Sequence, residues 1–250
     1  MSLTLILLIS ISTGFAQDTQ TSSLISLETQ FFQLKDQKNY GMVFNGGNIL
    51  VGYTLQKLAG NNLFSYDAAF GFGAGFSKGI AGMNVHLKPA GLSYCFPVVL
   101  NEKATLYIGP YLAMNYFLQL YPELQSGHAL WFTFYDVGPR FVVDTRLKNQ
   151  TLRIQLANSL IGMVSRPTEM NETYYYSLNV LDLMGNVHSN FKAGSFNLMN
   201  HTDFELEWRH IGNSNKSLAY HLEYFHFKKE PRLQYLVHAI SFRIKLGGGK

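Results

Sequence analysis

Residues 63–76 read LFSYDAAFGFGAGF, and this stretch decides the fold. Phe64, Tyr66, Ala68, Phe70, Phe72, Ala74 and Phe76 hold the even positions; Leu63, Ser65, Asp67, Ala69, Gly71, Gly73 and Gly75 hold the odd ones. A two-residue period sends these sets to opposite faces of a strand, one aromatic and one polar or small. A helix would smear both sets around its circumference. The same sorting recurs along the chain. In residues 129–146, Trp131, Tyr135, Val137, Phe141 and Val143 oppose Asp136, Gly138, Arg140, Asp144 and Arg146. In residues 203–210, Phe204, Leu206 and Trp208 oppose Asp203, Glu205, Glu207 and Arg209. In the last stretch Leu236, Ile240, Phe242, Ile244 and Leu246 oppose Tyr235, Ala239, Ser241, Arg243 and Lys245.

These segments run to about ten residues or more, against five or six in ordinary soluble sheets. Turn-forming connectors separate them: 59–62, 77–79, 101–103, 148–150 and 212–215. Longer polar connectors fall at 121–128 and 166–173. The rhythm is that of the hairpins of a transmembrane barrel. A first pass finds eleven strands. A bacterial barrel with both termini on one side needs an even number, and a turn at Gly185-Asn186 splits residues 174–197 into two crossings. The expectation is an all-β, closed antiparallel transmembrane barrel of about twelve strands, with ten as the alternative if one piece is a loop or plug.

Composition agrees. Of 250 residues 14% are charged, against roughly 25% in a typical soluble domain. The single cysteine excludes a disulfide scaffold, and the net charge of +4 is too scattered to address nucleic acid. Leu3 to Phe15 are almost wholly apolar or small, and Gly14 and Ala16 stand where a cleavage site before Gln17 requires small residues. Residues 1–16 are therefore expected to be a signal peptide and 17–250 one barrel domain.

Hydrocarbon cannot satisfy open backbone groups, so the sheet must close, and charge on its lipid face is costly. That assigns Asp136, Arg140, Asp144, Arg146, Arg153, Asp203, Glu205, Glu207, Arg209, Glu223, Arg243 and Lys245 to the lumen. Both signs are present, so pairing across the lumen would plug it; Glu205 is expected to meet an arginine such as Arg140 or Arg153. Trp131, Tyr116, Tyr121, Tyr174, Tyr175, Tyr176 and Trp208 are expected near strand ends as interfacial girdles.

The residues Phe15-Ala16 before Gln17, the alternating strands and the terminal strand from Leu233 to Leu246 together resemble small outer-membrane β-barrel proteins of the Bacteroidota type. The resemblance implies bacterial outer-membrane residence, with membrane lipid and other envelope proteins as partners. Such barrels often end on an aromatic residue, whereas this chain continues past Phe242 to Gly247-Gly248-Gly249-Lys250.

Candidate chemistry is sparse. His188 and Ser189 are the best-placed pair for an outer-membrane lipid A deacylase, which uses a His and a Ser two apart with a Glu further on. Here the two are adjacent, so they point to opposite faces of the strand expected there. His221 with Glu223, and Asn84 with His86 and Lys88, read as lumen lining; His201 reads as a loop residue. Gly71-x-Gly73-x-Gly75 alternates with aromatics inside a strand and precedes no helix, so it is not a phosphate loop. No metal or cofactor is expected. Triplets at Asn149, Asn171, Asn200 and Asn215 match glycan acceptors and keep open a secreted soluble β-domain. The leading expectation is a non-enzymatic outer-membrane barrel, either a narrow solute pore or a structural or accessory subunit; a lipid hydrolase is the alternative.

Overall fold

Side chains that alternate in polarity along long runs pair into strands through most of the described residues. The computed structural model describes residues 19–39, 41–101, 103–122, 128–167, 185, 187–211 and 215–247. The expected signal peptide lies outside the described residues. The strands are β1 (Thr19–Asp36), β2 (Val43–Ala59), β3 (Asn62–Ser77), β4 (Ile80–Leu100), β5 (Ala104–Tyr121) and β6 (His128–Leu147). They continue with β7 (Gln150–Asn158), β8 (Ile161–Ser165), β9 (Lys192–Ser195), β10 (Met199–Arg209), β11 (Lys216–Phe227) and β12 (Leu233–Gly247). At Lys78 and Gly79 both φ angles are positive, 47° and 85°, as a tight two-residue hairpin turn demands.

Ten strands close the ring. Neighbours pair antiparallel from β1 through β7, then β7 with β10, β10 with β11, β11 with β12, and β12 with β1. The closing seam runs from Ser23 opposite Gly247 to Asp36 opposite Leu233. β8 and β9 lie outside this ring. β6 gives residues 140–147 to β7 and residues 133–137 to β8, so β8 carries on the line of β7 beyond a break at Ser159 and Leu160. The break is held by Ser159 N donating to His201 O (2.8 Å) and Leu160 N donating to Val137 O (2.9 Å).

The expected closed antiparallel barrel forms, with twelve strands among the described residues and the ring taking the alternative count of ten. Parity demands an even number and does not choose between ten and twelve. Of the two crossings expected in residues 174–197, 174–184 lie outside the described residues. The rest forms a turn at 187–190 and the four-residue β9, which pairs with β8 off the ring.

Burial sorts as the two-residue period requires. Phe31, Val51, Phe72, Val137, Leu156, Leu206, Leu218 and Ile240 stand exposed on the outer face of eight of the ten ring strands. An apolar surface that circles a molecule is far larger than a soluble monomer tolerates. The inner face carries both the buried polar groups and the aromatic core.

Candidate functional site

The lumen is the site, and its floor is set by a bulge. Between β3 and β4 the register passes from Asp67 opposite Gly91 to Ala69 opposite Lys88, so Pro89 and Ala90 make β4 one residue longer. The bulge points both Lys88 and Gly91 inward. A Cβ at Gly91 would lie 2.2 Å from Asp67 Oδ2, so glycine is what leaves room for that carboxylate. Lys88 Nζ then sits 3.2 Å from Asp67 and 3.9 Å from Asp203 on β10, a link from one wall to another.

From there ion pairs run across the barrel. His221 on β11 lies 3.2 Å from Asp203 and 3.9 Å from Glu28 on β1. His201 on β10 lies 3.0 Å from Asp136 on β6 and 3.2 Å from Glu223 on β11, and Tyr111 donates to the same Asp136 oxygen. Arg140 reaches Ser93 (3.3 Å), Asp67 (3.8 Å) and Gln155 (2.7 Å). Arg243 grips Glu205 through two nitrogens and lies 3.5 Å from Glu207; Gln155 donates to Glu205 at 2.6 Å. Nearer the termini, Arg153 holds Asp144 through two bonds of 2.5 Å and donates to Gln56 on β2 at 2.9 Å; Arg209 holds Glu207 at 2.5 Å. Charges this deep persist because each meets an opposite charge or a hydrogen-bond partner.

Beyond this layer, toward the loops, the inner face carries a ladder of amides, Gln119 to Asn84 to Asn48 to Gln30, beside an apolar cluster. Phe117, Phe132, Phe134 and Phe225 form a stack, with centroids 4.4 Å apart for Phe117–Phe132 and 4.3 Å for Phe134–Phe225. Phe32, Leu34, Val164, Met199, Phe227, Leu233, Tyr235, Val237 and Ala239 complete the cluster. His86 marks the boundary, stacked on Phe117 at 3.9 Å. Above it Arg166 bonds both Asp36 and the Pro231 carbonyl, strapping the end of β8 to the far side of the mouth. The space left among the charges is about 110 Å³. At the roughly 10–15 Å³ that one water needs, that is room for about seven to eleven waters. A second, more open hollow of about 370 Å³ lies at the terminus end between Leu58, Tyr107, Asp144, Arg153 and Lys245.

The structure places Asp136, Arg140, Asp144, Arg153, Asp203, Glu205, Glu207, Arg209, Glu223 and Arg243 in this network. Lys245 lines the terminus-end hollow, and Arg146 is exposed on the rim below it. Glu205 meets Arg243, not Arg140 or Arg153. His201 is a buried strand residue, not a loop residue. Tyr121 is buried inside against Phe44, and Trp131 is buried, so neither serves as an exposed girdle; Trp208 is exposed and bonds Gln150. Tyr174, Tyr175 and Tyr176 lie outside the described residues. His188 and Ser189 occupy a turn outside the ring, not a strand. There His188 Nε2 lies 2.9 Å from the Tyr116 hydroxyl, and Ser165 donates to the Ser189 carbonyl. Glu205 and Glu207 are committed inside the wall, so these residues assemble no His–Ser–Glu relay.

Sequence reasoning missed the aromatic stack, Glu28, Arg166 and the pairing role of His201. For the stack a signal existed: Phe132 and Phe134 share the parity of Asp136. Among the described residues no group of three or more His, Cys, Asp or Glu is arranged to hold a metal.

Together these features define a class: a closed antiparallel β-barrel with an apolar outer belt and a lumen filled by ion pairs and stacked rings. No protein-family model and no curated protein matches the chain. Solved structures do. The chain is similar to the outer membrane protease OmpT from Escherichia coli, with 5% identity over 94% of this chain and 99% of that one and a TM-score of 0.46. It is similar to the translocator domain of the autotransporter NalP from Neisseria meningitidis (6% identity, 97% and 94% covered, TM-score 0.42). It is also similar to the toluene transporter TodX from P. putida (6%, 92% and 90%, 0.28).

Proposed function

We propose that this chain is a bacterial outer-membrane β-barrel acting as a structural or accessory subunit of the envelope, with its lumen sealed against solutes. The carrying observation is the transverse ion-pair layer backed by the phenylalanine stack. Lys88 joins β4 to β10, and Arg153 joins β7 to β2, so the walls are tied through the space a pore would need. The apolar belt supports membrane residence, since water would expose it. Short turns at 60–61 and 148–149 lie at the terminus end, which is the periplasmic end in such barrels. The test is single-channel recording of the purified chain in planar bilayers. The expected record is flat, without unit steps; regular, reproducible conductance steps from the unmodified protein would establish a pore instead.

A further inference from the structure

The hollow at the terminus end has two unlike walls. Leu58, Leu63 and Tyr107 line one side, on β2, β3 and β5, and Cys95 and Val142 pack against them. Asp144, Arg153 and Lys245 line the other, on β6, β7 and β12, while Gln20 and Ser22 of β1 add polar groups at the edge. A bar across the barrel sets the inner end: Gln56 Oε1 accepts from Arg153 at 2.9 Å and from Arg209 at 3.1 Å. The space is about 370 Å³, within the roughly 300–1,000 Å³ of small-molecule sites.

Charge at this end of the lumen does not balance. The inward period of β6 runs from Asp144 to Arg146, and Lys103 stands opposite, its carbonyl accepting from Arg146 N at 2.9 Å. With Arg153, Arg209 and Lys245 that makes five cations, against two carboxylates, Asp144 and Glu207. Both carboxylates are taken, Asp144 by Arg153 and Glu207 by Arg209, each at 2.5 Å. Among the described residues Lys103, Arg146 and Lys245 have no carboxylate within 4.0 Å. Adding Asp18 and Glu102, the other acidic residues of this end, still leaves cations in excess. A concave surface of one sign beside low-dielectric walls concentrates counter-ions.

A simple anion would answer the cations and leave the apolar wall wet; a neutral apolar molecule would do the reverse. An occupant that answers both carries a carboxylate on a short apolar body. We propose that the terminus-end hollow binds a small organic acid of this kind. Its carboxylate sits on Lys245, in the field of Arg146 and Lys103 at the rim, and its body lies against Leu58, Leu63 and Tyr107. The site itself requires only the barrel; that the acid enters and leaves by one mouth rests on the sealed-lumen reading above.

The test titrates the full-length protein in phosphatidylcholine nanodiscs with 4-fluorophenylacetate, followed by the fluorine line width. Saturable binding with a Kd on the order of 1 mM is expected. The uncharged 4-fluorophenylacetamide, of the same shape, should bind about tenfold more weakly. Lys245→Gln should weaken the acid by a similar factor and leave the amide unchanged. Leu58→Gln should weaken both, and Lys228→Gln, exposed at the far end of β11, neither. The Lys245 ammonium has no hydrogen bond or ion pair among the described residues, so its loss should spare folding, and the acid–amide comparison needs no variant. Absence of saturable broadening overturns the site and leaves the seal standing. Equal binding of acid and amide overturns the anionic assignment. Inorganic phosphate that displaces the acid as well as unlabelled phenylacetate does shows ion pairing alone, and the proposal fails. An equal loss in Lys228→Gln reads net charge instead of a site and overturns it too. The expected binding together with conductance steps in planar bilayers keeps the site and overturns the seal. Acetyl-Gly-Gly-Phe displacing the acid more strongly than phenylacetate does keeps the chemistry and makes a peptide carboxyl terminus its source; weaker displacement makes the source a free acid.

Discussion

At the scale of single residues, Glu205 shows how much of the lumen depends on partners. Leu206 and Glu205 are adjacent, and the two-residue period alone separates lipid face from lumen. By that criterion a Glu205→Gln exchange should be mild, since glutamine keeps the shape. The structure raises the stakes. Glu205 accepts two bonds from Arg243 and one from Gln155, and Arg243 retains one other carboxylate, Glu207 at 3.5 Å. Removing one partner of a largely buried pair leaves its charge short of a counter-ion. Glu205→Gln should therefore cost about 3 kcal/mol, the lower part of the range for such losses. Equilibrium unfolding by urea from lipid vesicles measures it; an unchanged midpoint would show that the network adds nothing to stability. His201 teaches the same lesson in reverse. Its neighbours Asn200 and Thr202 make the local sequence look like a loop, while its partners Asp136 and Glu223 lie 65 and 22 residues away.

At the scale of the strand, β10 offers the clearest check on which face is which. Phe204, Leu206 and Trp208 point outward, whereas Asp203, Glu205 and Glu207 point into a filled lumen. Spin labels placed singly at positions 204 through 209 should alternate in their collisions with a lipid-soluble quencher, the even positions accessible. The odd positions should be poorly reached by a water-soluble quencher too, because the lumen is occupied. Leu206→Arg should cost on the order of 2–4 kcal/mol if it lies near the midplane. A flat profile along the strand, or odd positions meeting lipid, would invert the assignment. Strand parity was legible from the residues; the meaning of an aromatic on a given face was not. Phe132 and Phe134 follow the parity of Asp136, yet aromatic character by itself points to lipid. A ring on the inner face is settled by what stands opposite, here Phe117 and Phe225.

At the scale of the whole molecule, the lumen holds two layers, charges in the middle and rings toward the loops. The two layers can be tested apart. Phe117→Ala with Phe132→Ala removes two neighbouring members of the stack, each worth about 3–5 kcal/mol as a large-to-small core change. The barrel should lose stability but remain non-conducting in planar bilayers, because Lys88, His201, His221 and Arg243 still span the space beneath. Conductance in this double variant would show that the rings alone form the seal. The same transverse ties explain why a pore and a plug look alike from composition, for both need charged residues on the inner face.

The residues by themselves determined the strands, their two faces, the closed sheet and an even strand count. Period-two alternation is a property of local backbone geometry, and the cost of open backbone in lipid forces closure whatever the partners are. The tertiary structure decided the ring of ten, the displacement of β8 and β9 from it, and which lumenal groups pair. These depend on contacts between distant parts of the chain: Arg153 with Gln56 is a separation of 97 residues, and Arg166 with Asp36 one of 130. Whether such groups meet is set by the diameter of the ring, and that exists only once the last strand has paired with the first.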